Sequence, residues 1–297
     1  MDFFKKEGEE VSQSRLSVVI PAFNEEENIL ELIKRVKAVV GEDAEIIVVD
    51  DCSTDRTPEI LKDAGVRTIR HPYNKGNGSA VKTGLRAAGG EMVVLMDGDG
   101  QHRPEDIPQL LAHLVDYDMV IGARTRDSEA NYHRRIYNRL VSVFATYITG
   151  IRIPDLTSGF RAMRASIAKK FIYLLPNTFS YPVTITLSMI KAGYSVKFVT
   201  LKFDQRLGKS KINLLTDGSR FLVILLRVAT LFSPMKVFLP VSLFCFFGGV
   251  IYYLYTFFMY HRFTNLALFL FLVGVIIFLL GLIAEVVSQL RLDRSEG

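Results

Sequence analysis

Cysteine is scarce in this chain of 297 residues: Cys52 and Cys245 are the only two, too few for a disulfide framework or a cysteine-based zinc site. A strong charge of one sign is also missing. The formal net charge is +5, and the basic residues gather near two apolar stretches, which argues against nucleic acid and for an anionic lipid surface. MDFFKKEGEEVSQSR at the start has no apolar core of the signal-peptide kind, so residues 1–15 are expected as a polar tail. Glycine is absent from PAFNEEEN after the first apolar run, and the later KGNGSAVKTG follows the third run, at the wrong spacing for a Rossmann dinucleotide turn. No Walker A sequence occurs. DGDGQH starts like a calcium loop, but Pro108 stands at its twelfth position, where that loop needs a bidentate Glu.

Charge is what the C-terminal third lacks. Val237 to Tyr260 and Phe263 to Ala284 contain no charged residue, and each is long enough to cross a hydrocarbon layer of about 30 Å as a helix. Only His261 and Arg262 separate them, which predicts a tight hairpin. Residues 202–236 hold seven Lys/Arg against Asp204 and Asp217, and Arg291 and Arg294 follow the second span. The positive-inside tendency therefore places both flanks, and the large N-terminal part, on the cytoplasmic side. Glu285 near the end of the second span is either hydrated at the interface or marks a contact between copies, which leaves a homo-oligomer open.

What is present in the N-terminal part is alternation. LSVVIPAF, EIIVVDD, VRTIRH, MVVLMD and MVIGAR read as buried strands separated by helical patterns such as EENILELIKRVKAVV. The fold class expected is α/β, a doubly wound and mostly parallel sheet, whose ligands sit beyond the carboxyl ends of the strands. Polar residues cluster there: Asn24 and Glu25, Asp50 and Asp51, Asp97 and Asp99, Arg124. VVLMDGDGQH poses a specific problem, because two aspartates separated by one glycine follow a buried strand and repel each other. A hard divalent cation, held by one or two carboxylates together with phosphate oxygens, would compensate them. Two amphipathic stretches, about 133–149 and 212–236, carry apolar repeats such as Ile136, Leu140, Val143 and Tyr147 with arginines on other faces, and are expected as interfacial helices on a membrane.

IPAFNEEEN, VVDDCSTDRT, NKGNGSAVKTG, LMDGDGQHRPEDIP, IGAR, DLTSGFRAMR and GKSK, in this order, make about residues 16–211 resemble glycosyltransferase family 2. Within it they resemble the polyprenyl-phosphate sugar transferases typified by dolichyl-phosphate mannose synthase. That resemblance implies a glycosyltransferase A-type catalytic domain over 16–211, to which the uncharged runs and their basic flanks add a transmembrane hairpin over 237–290 and a cytoplasmic tail over 291–297. It implies Mg²⁺ or Mn²⁺ on Asp97, Asp99 and Gln101. Pro21, Phe23, Glu25, Asp51 and Lys75 would face the nucleotide, with Asp51 on the base or ribose. Arg124, Arg134, Asn138, Arg206 and Lys211 would hold the acceptor phosphate, and Asp155, Ser158 and Gly159 would shape the acceptor side. The family's basic loop usually reads Arg-x-x-Gly-x-Ser-Lys, whereas QRLGKSK brings Arg206 one residue closer to Gly208.

The expected reaction is metal-dependent, inverting transfer of a hexose from GDP-mannose or a UDP-hexose to dolichyl or undecaprenyl phosphate at the cytoplasmic membrane face. A processive polysaccharide synthase of the same superfamily typically carries Gln-x-x-Arg-Trp, and this chain has no tryptophan. A transferase with another acceptor and a non-catalytic sugar-nucleotide-binding regulator are the remaining alternatives.

Overall fold

The computed structural model describes residues 16–124, 132–178, 180–204, 230 and 232–293, with backbone only for 132–138, 141 and 291–293. The residues form two compact units, one of 1–146 with 151–211 and one of 147–150 with 212–297. The expected polar tail, most of the second interfacial stretch, Arg206 and Lys211 lie outside the described residues.

The first unit is built on a seven-stranded sheet: β1 (Leu16–Ala22), β2 (Glu45–Asp50), β3 (Arg67–Arg70), β4 (Met92–Leu95), β5 (Met119–Arg124), β6 (Arg161–Arg164) and β7 (Val196–Leu201). Their spatial order is β3-β2-β1-β4-β6-β5-β7. All pairings are parallel except those of β6, which runs antiparallel between β4 and β5. The five runs expected as strands are strands; β6 and β7 add to them. Helices α1 (Ile29–Val40), α2 (Thr57–Asp63) and α4 (Ile107–His113) cover one face and α3 (Asn77–Ala87), α6 (Ala165–Lys170) and α7 (Tyr181–Lys191) the other, while α5 (Tyr132–Thr149) follows β5 in the chain.

The apolar period explains why these segments pack as they do. In α1 the buried residues Ile29, Leu32, Ile33 and Val36 fall on one stripe, each burial being worth about 1.5–3 kcal/mol. They pack with Val18, Ile20 and Val48 on one sheet face. Val81 and Leu85 of α3 pack with Val19, Ile47 and Val93 on the other. β1 is the switch point, since the chain builds outward to β2 and β3 and then returns to β4 on its other side, which opens a crevice beyond the strand ends. Pro21 is tolerated in this central strand because pairing with β4 stops at Val19 and Leu95, so no ladder bond is demanded of its nitrogen on that side. In α5, Leu140 and Val143 are exposed while Ser142 and Ala145 are buried, so the helix carries an apolar stripe to the surface.

The second unit contains α8 (Met235–Tyr260) and α9 (Asn265–Asp293), joined by a turn at which His261 is left-handed, φ 49°. Both contain 26-residue apolar segments, enough to span a bilayer. Their side chains stay largely exposed, Phe244 at 80% and Ile283 at 61%, which suits contact with lipid and not a soluble core. Small residues let the helices meet: an added Cβ at Gly281 would lie 2.7 Å from Phe238 Cβ, and Ser242 Oγ donates to Gly274 O at 2.8 Å. Glu285 has a definite task here. Its Oε2 accepts the backbone N–H of Met235 at 3.2 Å, satisfying a donor at the start of α8 and placing negative charge at the positive helix end.

Candidate active site

Four strand ends converge at one edge of the sheet. After β1 the chain turns at Asn24, φ 55°, and after β2 at Cys52, φ 64°. The two turns brace each other: Asn24 N–H donates to Ser53 Oγ at 3.0 Å and Thr54 N–H to Asn24 Oδ1 at 2.8 Å. Asp50 is structural, as its Oδ1 accepts Ser53 N–H at 2.9 Å. Arg70 Nε lies 3.1 Å from its Oδ2, an ion pair. Asp51, buried, is the hub of this corner. Its Oδ1 takes His71 Nδ1 at 2.7 Å and Lys75 N–H at 2.9 Å, and its Oδ2 takes Gly76 N–H at 2.7 Å. A carboxylate accepts only, so Nδ1 of His71 carries a proton, while its Nε2 meets Thr83 Oγ1 at 2.9 Å. Three donors leave about one lone-pair position on Asp51 for a ligand. Phe23, Glu25 and Lys75 are half-buried around this corner, and Lys75 Nζ lies 5.4 Å from the centre of the Tyr73 ring.

The acidic turn follows β4. Asp97, Asp99 and Gln101 are partly exposed at the open edge, and the turn holds its own shape: Gln101 N–H donates to Asp99 Oδ1 at 3.2 Å, and Gly100 is left-handed, φ 71°. Buried His102 fixes its root. Asp97 N–H donates to His102 Nδ1 at 3.0 Å, so the ring proton sits on Nε2, which faces Asp97 Oδ2 at 3.8 Å. Burial pushes the imidazole down to about 4, against an opposing pull from Asp99, so it is neutral at pH 7. The ring stacks on Phe160, centroids 5.1 Å apart, and meets Phe203 edge-on at 5.1 Å. On its other side the Asp97 carboxylate rests against Gly159, where a Cβ would displace it.

At the end of β5, Arg124 is drawn inward. Its backbone N–H donates to Asp155 Oδ2 at 3.2 Å and its Nη1 to Thr157 Oγ1 at 3.3 Å. Its Cζ lies 5.5 Å from the centre of Phe203. One aromatic ring thus touches both the arginine and the histidine beneath the acidic turn. A second cation, Arg161 at the start of β6, is fully buried. It lies opposite Leu95 on one side and Ile121 on the other, and burial lowers its pKa while Tyr181, Asp97 and Asp155 raise it.

Two family descriptions match this chain. Glycosyl transferase family 2 matches residues 17–172, more than half of it, and the GtrB C-terminal hairpin matches 233–290. The chain belongs to glycosyltransferase family 2. The dolichol-phosphate mannosyltransferase of Pyrococcus furiosus is 36% identical over 201 residues, covering 64% of this chain and 56% of that protein. An undecaprenyl-phosphate 4-deoxy-4-formamido-L-arabinose transferase of Pectobacterium atrosepticum is 30% identical over 256 residues, covering 79% of this chain and 78% of its own length. Among solved structures, glucosyl-3-phosphoglycerate synthase of Mycobacterium tuberculosis with Mn²⁺, UDP and glucosyl-3-phosphoglycerate aligns with a TM-score of 0.59 at 21% identity, covering 72% of this chain and 79% of that one. This last likeness concerns the fold.

In this glycosyltransferase the structure gathers Pro21, Phe23, Glu25, Asp51, Lys75, Asp97, Asp99, Gln101 and Arg124 at the same sheet edge. Arg134 and Asn138 lie on α5, with side chains outside the described set. Sequence reasoning passed over His71, Thr157, Phe203 and Arg161. An arginine inside the otherwise apolar run GFRAM was a readable signal for the last of these. The oxygen-only set of Asp97, Asp99 and Gln101 fits a hard divalent cation. His102 does not join it, because its Nδ1 is committed to a backbone amide.

Proposed function

We propose that this enzyme transfers a sugar, in the first instance a hexose, from a nucleotide-diphospho-sugar to a polyprenyl phosphate, with inversion, at the cytoplasmic membrane face. The observation that carries the reading is the pairing on one sheet edge of a half-open acidic turn after β4 with an arginine held in place after β5. The similarity to relatives named for polyprenyl-phosphate sugar transfer supports the acceptor class. Those two relatives are named for different sugars, so the donor follows from the residues of the pocket and not from the family.

Asp97, Asp99 and Gln101 would hold Mg²⁺ or Mn²⁺, which when bound supplies Lewis-acid neutralisation of the departing diphosphate. The chain's own groups do the rest. The loop Lys75–Gly76, pinned by Asp51, borders the nucleotide. Arg124, preorganised by Asp155 and Thr157, orients the acceptor phosphate. A phosphate oxygen is already anionic at neutral pH, so attack on the anomeric carbon needs no strong base. This agrees with the commitments of His71 and His102 to structural bonds. The hairpin anchors the catalytic unit to the membrane in which the lipid acceptor resides, and the basic flanks of the spans orient it.

The test is to incubate the purified chain with a panel of GDP- and UDP-sugars, Mg²⁺ or Mn²⁺, and polyprenyl phosphate, and to identify the product by mass. A glycosylated lipid phosphate of one added sugar is expected. Transfer to a soluble phosphorylated acceptor with no lipid requirement would refute the acceptor assignment.

A further inference from the structure

Arg161 is a charge with no surface. Its side chain is fully buried, and its hydrogen bonds all go to neutral acceptors: Nη1 to Pro182 O at 3.2 Å and to Thr186 Oγ1 at 3.1 Å, and Nη2 to Ser158 O. Nε has no hydrogen-bond partner. The guanidinium also lies against Tyr181, 5.9 Å from the ring centre. Burying a guanidinium is costly unless something compensates it, and an apolar residue of similar volume would fill the same space at lower cost. The carboxylates whose field favours its charge are Asp97 and Asp155, one on the acidic turn and one holding Arg124.

The bond to Ser158 gives the charge a geometric purpose. Ser158 immediately precedes Gly159, and Gly159 is the wall on which the Asp97 carboxylate rests. We propose that Arg161 is a positioning residue for metal binding: its two-pronged hold on Ser158 and on the start of α7 sets the Ser158–Gly159 turn, which sets the Asp97 carboxylate. This inference rests on Asp97 being a metal ligand. Ordinary packing does not require a fork with this reach, and a lysine cannot reproduce it, since one ammonium nitrogen replaces the two nitrogens that here serve Ser158 O on one side and Pro182 O and Thr186 Oγ1 on the other.

The experiment measures Mn²⁺ binding to full-length Arg161→Met and Arg161→Lys, by loss of the free-ion electron paramagnetic resonance signal, with UDP and separately with GDP present. Circular dichroism melts confirm folding, and turnover is titrated with Mn²⁺. Both variants should bind Mn²⁺ about tenfold more weakly, as expected when a group that orients a ligand is removed. The Mn²⁺ needed for half-maximal turnover should rise by the same factor, and most of kcat should return at saturating Mn²⁺, which a merely destabilised fold would not show. Folded variants with unaltered Mn²⁺ affinity would overturn the proposal, as would full rescue by Arg161→Lys. Should neither variant fold, Thr186→Val decides: it removes one acceptor at constant shape and should weaken Mn²⁺ binding about threefold, and an unchanged affinity overturns the idea. If the unmodified chain binds no Mn²⁺ with either nucleotide, the metal reading itself falls and this inference with it.

Discussion

Gly159→Ala separates the role of a site glycine from that of a packing glycine. A Cβ at residue 159 would collide with Asp97 Oδ2 and lie 2.9 Å from both Oδ1 and Cγ of the same carboxylate. The obstructing group is the tip of a short side chain that is 31% exposed, so it can swing away at about 0.5–1.5 kcal/mol for an off-rotamer torsion. The fold should hardly register this, with Tm falling by only about 2–4 °C. The carboxylate, however, leaves the place from which it would bind a cation. Losing one such preorganised electrostatic contact costs on the order of a hundredfold to a thousandfold in turnover. Gly84→Ala provides the contrast. Its Cβ would meet Val19, which is fully buried in the core, with Val19 Cβ and Cγ2 both at 3.3 Å, and overpacking of this kind costs about 1–3 kcal/mol. That variant should melt earlier while its folded molecules keep normal Mn²⁺ affinity. The assay is Mn²⁺ binding with nucleotide present, alongside thermal melts and turnover. Unchanged Mn²⁺ affinity and turnover in Gly159→Ala would refute the assignment of Asp97 to the metal.

Asp99→Asn keeps size and removes charge, so turnover should fall about a hundredfold or more with the melting curve preserved; near-normal activity in this variant and in excess EDTA would sink the metal-dependent mechanism. Arg124→Ala should raise the KM for lipid phosphate while leaving GDP and UDP affinity nearly intact by calorimetry, because the lost charge-assisted contact lies on the acceptor side; equal loss of nucleotide affinity would move Arg124 to the donor site. His102 predicts an acid-sensitive fold. Its folded value is about 4 against an ordinary 6.5, so between these the unfolded chain binds the proton first. Stability is then complete above about pH 6.5 and declines as pH falls toward 4, by at most about 3 kcal/mol. Melts of the parent and of His102→Phe across this range should show a shallower pH slope in the variant, and equal slopes would contradict the burial argument.

The legible parts of this protein are those in which a local pattern has one physical outcome. Runs such as VVLM and IIVV are short, rich in β-branched residues and set in a strand–helix alternation, which together point to buried strands, and the uncharged runs from Val237 and Phe263 are long enough to read as apolar helices. β6 was not legible, because RAMR places arginines at both ends of a strand whose interior position opposite Leu95 and Ile121 is set by tertiary pairing. At the site, the aspartates of DGDGQH announced themselves as unbalanced charge after a buried strand. The support beneath them did not, since His102, Phe160 and Phe203 come from three separate segments, and no spacing rule links them.

Those hidden supports explain how a partly exposed turn holds its two carboxylates in place. Asp97 is fixed at its amide by His102 and at its carboxylate by Gly159, while the Asp99 carboxylate is held by the Gln101 amide. Of the cations nearby, Arg161 is held by a hydroxyl, carbonyls and a ring face, and Arg124 by Thr157, the Phe203 ring and the Asp155 carboxylate 4.0 Å from its Nη1. Direct neutralisation of the acidic turn by these arginines would lower its appetite for a metal, whereas their complete removal would leave the repulsion between Asp97 and Asp99 without relief. Holding positive charge close by, but anchored to partners outside the acidic turn, meets both requirements. It also explains why His102 is spent on posture: a neutral ring can brace Asp97 without competing for the charge that the aspartate is there to offer.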